Sequence, residues 1–371
     1  MKKLICLVLV ALLAFPAVLF TSCGGKATTL YVYNWGEYIS DGSEGSYDTN
    51  KEFEKWYLET YGERVKVNYT TYDSNEDMYA KISGGGTKYD IVIPSDYMIA
   101  RMINEGMLRK LNKENIPNLA NIDLTPIFGD DTPYYDPSQE YSVPYTYGTV
   151  GIIYDTTKVS EADLTGWNLM WNANYRSNIL QFNNPRDAFA TAMFKLGYDV
   201  NTTDETLWRN ALNELKTQKA TCDPGYVMDE VFTKMETGSA AVAAYYAGDY
   251  FTMYEENENL GFFYPEEEGT NVYVDAMCIL NTSKNPELAE RYINFMLSEE
   301  PAIANAEATY YASPNKLVIN SKTYQEDMAE VHEDAMDILY GIDQIPKQFY
   351  ENLPDETLEL ISRLWEELKI K

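Results

Sequence analysis

The stretch RVKVNYTTYDSNEDMYAKISGGGTKYDIVIPSDYMIARMINEG, Arg64 to Gly106, decides the fold. RVKVNYT sets Val65, Val67 and Tyr69 at every second position, the period of a strand with one covered face. Ser74 then stands where a helix cap belongs, before a helix that ends at Gly84–Gly86. YDIVIP is a short apolar run of the kind a fully covered strand requires, and Ser95 caps a second helix running to Gly106. Upstream, Leu30–Tyr33 reads as a strand, and KEFEKWYLETYG carries Phe53, Trp56, Tyr57 and Tyr61 on one helical face before Gly62. Strand, helix, strand, helix, strand is the order of an open α/β sheet whose strands run mostly parallel.

Toward the C-terminus a polar stretch, NIPNLANIDLTPIFGDDTPYYDP, reads as a long loop, after which VPYTYGTVGIIYD returns as a strand. NILQF, SAAVAAYY and NVYVDAMCIL supply further strands, separated by helices such as ETLWRNALNELK. NPELAERYINFMLSEE opens with Asn285 as cap and Pro286 in the first turn. DETLELISRLWEELKI closes the chain as an amphipathic helix with Leu358, Ile361, Trp365 and Leu368 on its apolar stripe. A chain of 371 residues exceeds what one core usually holds, about 250 to 300, so two lobes are expected.

The first 23 residues are of another kind. MKKLICLVLVALLAFPAVLFTSC pairs Lys2 and Lys3 with an apolar run from Leu4 to Phe20 and small residues before Cys23, the layout of a secretory signal over residues 1–22. Its end, FTSC, resembles the lipobox of bacterial lipoproteins, which implies a lipid on Cys23 and an extracytoplasmic body tethered to a membrane. No later run approaches the ~20 apolar residues that cross a bilayer. Net charge is −29, which speaks against nucleic acid and anionic lipid surfaces and draws cations to the molecule. Cys222 and Cys278 remain in the body, either as one disulfide or as two buried small apolar side chains. They are too few for a disulfide framework or a metal site.

Polar and aromatic residues recur just beyond the strands. Asn34, Trp35, Glu37 and Tyr38 follow the first; Ser95, Asp96 and Tyr97 follow YDIVIP; Asn183, Asn184 and Asp187 follow NILQF; Asp249 follows SAAVAAYY. Open α/β sheets bind ligands beyond the carboxyl ends of their strands. In NVYVDAMCIL, Tyr273 and Asp275 share one face while Val272, Val274, Ala276 and Cys278 share the other. Carboxylates interleaved with aromatics suit an alkyl chain with ammonium ends: anions meet the termini, rings line the methylenes, and ring faces attract the cation. A few charged hydrogen bonds of roughly 1.5 to 3 kcal/mol each reach micromolar affinity. Catalytic signatures are missing: HExxH, GxSxG and CxxC do not occur, and the glycines at Gly84–Gly86 lack the Lys-Ser/Thr of a phosphate loop. His332 stands alone in a charged helical stretch. Acidic runs at Glu266–Glu268 and Asp130–Asp131 read as solvated loops.

LYVYNWGEYIS, VNYTTYDSNEDMYAKI, YDIVIPSDYMIARM, the helix ending FKLGY, VDAMCIL and ATYYASPN resemble the spermidine/putrescine-binding receptors of polyamine ABC transporters. The likeness runs from about Leu30 to the C-terminus. It implies a type II periplasmic-binding-protein fold of two α/β lobes, residues 24–148 with 276–319 and residues 149–275 with 320–371, closing over ligand. It also implies a monomer that hands its polyamine to the membrane permease of an importer, without a cofactor. By the same resemblance Trp35, Tyr38 and Tyr97 line the methylene path, Glu37 meets an amine, and Ser95 with Asp96 flanks one end. Asp187 sits at a family carboxylate position, Tyr246 and Tyr273 stand where tryptophan is usual, Asp275 holds the deepest ammonium, and Tyr311 closes a wall. Asn184 replaces an aspartate of spermidine receptors, whereas Asp249 matches the putrescine-preferring branch, so the two preferences are mixed. Competing readings on the same scaffold are a sugar or amino-acid receptor and an adhesion lipoprotein. Sugar sites usually mix Asn, Arg and Lys with their acids, and these segments offer almost no cation apart from Arg186.

Overall fold

A computed structural model of the chain describes residues 27–342 and 345–370, so the leader and Cys23 lie outside the described residues. Its strands are β1 (Thr28–Trp35), β2 (Val65–Tyr72), β3 (Ile91–Val92), β4 (Ser142–Asp155), β5 (Ile179–Phe182), β6 (Gly225–Val227), β7 (Val242–Tyr246), β8 (Leu260–Phe263), β9 (Thr270–Ile279) and β10 (Lys347–Gln348). They join in the order β2-β1-β3-β9-β4-β7-β5-β6, with β10 beside β9 and β8 beside β4. The outer pairs β2-β1-β3 and β7-β5-β6 are parallel, as the alternation of strands and helices predicts. The centre is antiparallel: β9 meets β3 on one side and β4 on the other, and β4 meets β7 and β8. Two long strands running in opposite directions thus connect two parallel α/β layers, and a bulge between Pro144 and Thr146 adjusts their register.

Side-chain alternation along β9 divides the core. Val272, Val274, Ala276 and Cys278 join the larger apolar cluster, while Tyr273, Met277 and Ile279 join a second one built on Leu30, Val32 and Phe53. The helix Thr49–Tyr61 is capped by the Asp48 side chain, which accepts from the Lys51 amide at 2.9 Å, and stops at Gly62 in the left-handed region. Its fully buried Phe53 meets Tyr292 edge-on at 4.9 Å and Phe295 at 5.5 Å, locking it to the helix Pro286–Met296. Cys222 and Cys278 are both buried and free.

Two helix starts depart from expectation. Asn285 and Ser95 occupy the cap positions, but neither side chain caps its helix. The Asn285 amide reaches back to the Thr29 carbonyl, and the Ser95 hydroxyl accepts from Asn75 Nδ2 at 3.0 Å. Of the run YDIVIP only Ile91–Val92 is paired in the sheet. The stretch expected as a loop carries turns of 3-10 helix, and Asn118 ties it to Asn294.

Candidate functional site

The ends of β1, β2, β3, β5 and β7 open into one cleft. Trp35, Glu37, Tyr38, Ser95, Tyr97, Asn184, Asp187, Tyr246, Asp249, Tyr273, Asp275 and Tyr311 all line it. Asp96 does not. It is fully buried, and its carboxylate accepts from the Tyr97 amide at 2.7 Å and the Val274 amide at 3.3 Å, so it fastens a helix start to β9 rather than facing a ligand.

Among the acids that line the cleft Asp275 is the most buried, 3 % exposed. Tyr38 donates to its Oδ2 at 2.6 Å, whereas Oδ1 has no partner among the described residues. Burial pushes its pKa up to about 6, opposed by the neighbouring hydroxyls of Ser95 and Tyr38. Tyr38 is itself held by Thr146 Oγ1 at 2.5 Å and by the Tyr311 ring, edge-on at 4.8 Å. Trp35 is pinned by its indole N–H on the Ile93 carbonyl at 2.9 Å. Asp249 sits in the first turn of the helix Ala247–Glu256, where burial raises it to about 8, the Tyr311 hydroxyl opposes this, and the charges of Asp229 and Glu37 add to it. Gly248 permits that geometry, since a Cβ there would stand 2.9 Å from the Tyr311 ring.

Asp187 is more fully engaged. Its Oδ2 accepts from Tyr246 at 2.7 Å and Asn184 at 2.8 Å, and its Oδ1 accepts from Tyr350 at 3.0 Å. Asn184 also caps the helix Pro185–Leu196 by accepting from the Asp187 amide, so its amide is spent on structure. Burial raises the pKa of Asp187, opposed by these three donors and by Arg186. None of Glu37, Asp187, Asp249 and Asp275 pairs with a lysine or arginine in a salt bridge among the described residues. Uncompensated carboxylates facing one cleft, walled by aromatic faces, make a receptor for organic cations.

Residues 50–331 match the bacterial extracellular solute-binding protein family. The chain belongs to that family. This solute-binding protein is 32% identical over 308 residues to the spermidine/putrescine-binding periplasmic protein of Escherichia coli K12, covering 81% of this chain and 83% of that one. It is 27% identical to the putrescine-binding periplasmic protein SpuD of Pseudomonas aeruginosa, over 92% of this chain and 91% of the relative. Among solved structures, PotD of Streptococcus pneumoniae, a spermidine/putrescine ABC transporter substrate-binding protein, superposes with a TM-score of 0.69 at 32% identity, covering 92% of this chain and 99% of that one. The TpPotD lipoprotein of Treponema pallidum superposes with a TM-score of 0.75 at 25% identity, over 92% and 100% of the two chains. The two-lobed fold is therefore the type II periplasmic-binding-protein architecture.

Several lining residues of the solute-binding protein escaped the sequence reading. Asp73, Asn75 and Glu76 lie just after β2, and the strand-end rule applied to that strand finds them. Burial raises the Glu76 carboxyl, which accepts from Tyr97 at 2.9 Å. Asp229 follows β6, a three-residue strand with no readable period, and its Oδ2 would stand 3.1 Å from a Cβ on Gly36. Tyr350 follows the two-residue β10.

Proposed function

We propose that this solute-binding protein captures polyamines, spermidine or putrescine, in the acidic cleft and delivers them to the permease of an ABC importer, tethered to a membrane through lipid on Cys23. The observation that carries this reading is the bare Oδ1 of the buried Asp275, flanked by Tyr38 and Tyr273: a buried anion with a free lone pair calls for a cation to complete it. Sugar ligands bring no charge to offset it. An α-amino acid brings its own carboxylate into a space lined by Glu37, Glu76, Asp187, Asp229 and Asp249. The names of the relatives support the same class.

The lobe limits we propose, residues 24–148 with 276–319 and residues 149–275 with 320–371, cut β4 near Gly148 and β9 near Asp275. Closure then bends these two paired strands and brings the β5 and β7 ends onto the β1 and β3 ends. The test is calorimetry on the chain from Gly24 onward, unfolded and refolded to strip carried-over ligand, with putrescine, spermidine, maltose and glutamate in parallel. Saturable 1:1 binding of either polyamine alone supports the reading. Refolded protein that ignores both polyamines, or takes maltose or glutamate, overturns it.

A further inference from the structure

Arg186 is the one cation that lines the cleft among the described residues, and its own hydrogen bonding is incomplete. The residue is 5 % exposed. Its Nη2 donates to Asn201 Oδ1 at 2.9 Å and to the Glu351 carbonyl at 3.3 Å, while Nε and Nη1 have no partner among the described residues. Its Cζ lies over the Tyr350 ring at 4.6 Å and the Tyr97 ring at 5.6 Å from the centroids, contacts that hold the flat group in place. Buried N–H groups of this kind are costly to leave unmet, so a lining residue with two of them calls for an acceptor atom on the ligand.

The cleft is thus chemically asymmetric. At Asp275 a carboxylate oxygen is bare and asks for an ammonium. Beside Arg186 the nearest carboxylates are already committed, Asp187 to three donors and Glu76 to Tyr97, and two N–H donors are bare instead. The acceptor that fits these donors is neutral: a second carboxylate would meet the charges of Glu76 and Asp187, both of which act on the guanidinium, whereas a carbonyl oxygen accepts without adding charge. We propose that the cleft takes polyamines masked by an acyl group at one end, the free ammonium on Asp275 Oδ1 and the acyl carbonyl oxygen on one of the unpaired N–H groups of Arg186, at Nε or at Nη1. This rests on the polyamine reading above and narrows it to a substrate class.

Calorimetry separates the two levels. The mature chain is titrated with putrescine, N-acetylputrescine, spermidine and N1-acetylspermidine. A site built only of acids loses a charged hydrogen bond on acetylation, roughly a 10- to 150-fold penalty. With Arg186 receiving the carbonyl, at least one acetylated ligand binds within about threefold of its unmasked parent or more tightly, a gap under about 0.7 kcal/mol. In Arg186→Met, and likewise in Arg186→Lys, which keeps the charge but loses the fork, the ratio of acetylated to unmasked affinity falls at least tenfold. Thermal unfolding confirms that each variant is folded, and the wild-type comparison stands without them. Acetylated ligands that fail where putrescine or spermidine binds overturn the inference and leave the polyamine reading standing. A ratio unchanged in both variants overturns it as well. A protein that binds none of the four overturns both.

Discussion

At the scale of single residues the cleft is organised around protonation. Asp275 and Asp249 are raised to about 6 and about 8 because burial penalises their charged forms. A cationic ligand favours those same charged forms, so binding expels protons. Calorimetry at pH 7 in two buffers of different ionisation enthalpy is expected to show net proton release on polyamine binding, and proton uptake would sink the assignment. Affinity is expected to fall as pH drops through 6, where Asp275 becomes neutral. Asp275→Asn removes the charge while keeping the shape. It is expected to weaken binding at least about thirtyfold, more than any other single change, as loss of one partner of a buried charged pair costs about 2 to 5 kcal/mol. Unaltered affinity in that variant means that the ligand sits elsewhere. Glu37 adds a second mark of function: its φ of 45° places a non-glycine residue in the left-handed region, a conformation costing about 1 to 2 kcal/mol, at a position that lines the cleft.

Among the elements, the helix Ala247–Glu256 and the helix Thr49–Tyr61 make contrasting cases. The first begins at the end of β7 with glycine at position 248 because the Tyr311 ring lies against its backbone. Gly248→Ala adds a methyl group where the backbone is ordinary helix, so helix propensity improves while the ring must shift. We expect a folded protein with little change in Tm and at least a tenfold loss of polyamine affinity; unchanged affinity would place Tyr311 outside the binding wall. Phe53 belongs to the scaffold alone. Phe53→Ala empties a site among four aromatic rings and is expected to cost about 3 to 5 kcal/mol in denaturant unfolding. A loss under 1 kcal/mol would mean that the second core closes around the gap.

For the whole molecule, charge and burial act in the same direction. The folded-state pKa of Asp275 is about 6 and those of Asp96 and Asp249 about 8, above the roughly 3.9 of an unfolded aspartate. Groups shifted upward contribute stability that is fully present below about pH 4 and is lost as pH rises through 6 to 8. Self-repulsion from a net charge of −29 grows over the lower part of that range. Ligand-free protein is therefore expected to melt at a higher temperature at pH 5 than at pH 8, and saturating polyamine to narrow the difference by stabilising the charged acids. Equal melting temperatures at the two pH values would show that these acids are solvated rather than buried.

Much of this architecture was legible in the residues themselves. Period-two alternation marked β2 and the two faces of β9, Gly62 marked the end of the helix Thr49–Tyr61, and acids beside aromatics past four strand ends marked the cleft, because each of these patterns is local. Strands of two to four residues such as β6, β8 and β10 carry no period, so Asp229 and Tyr350, which follow two of them, were invisible. Local rules also misplace side chains that long-range partners capture: Asp96 turns to the Val274 amide, and Ser95 abandons its helix for Asn75. The sequence by itself determined the fold class, the strand ends and the cationic character of the ligand, since periodicity and charge are properties of the chain. Only the tertiary structure decided which polar atoms are left bare, Asp275 Oδ1 and the Nε and Nη1 of Arg186, because satisfaction of a buried group depends on residues brought together from distant parts of the chain.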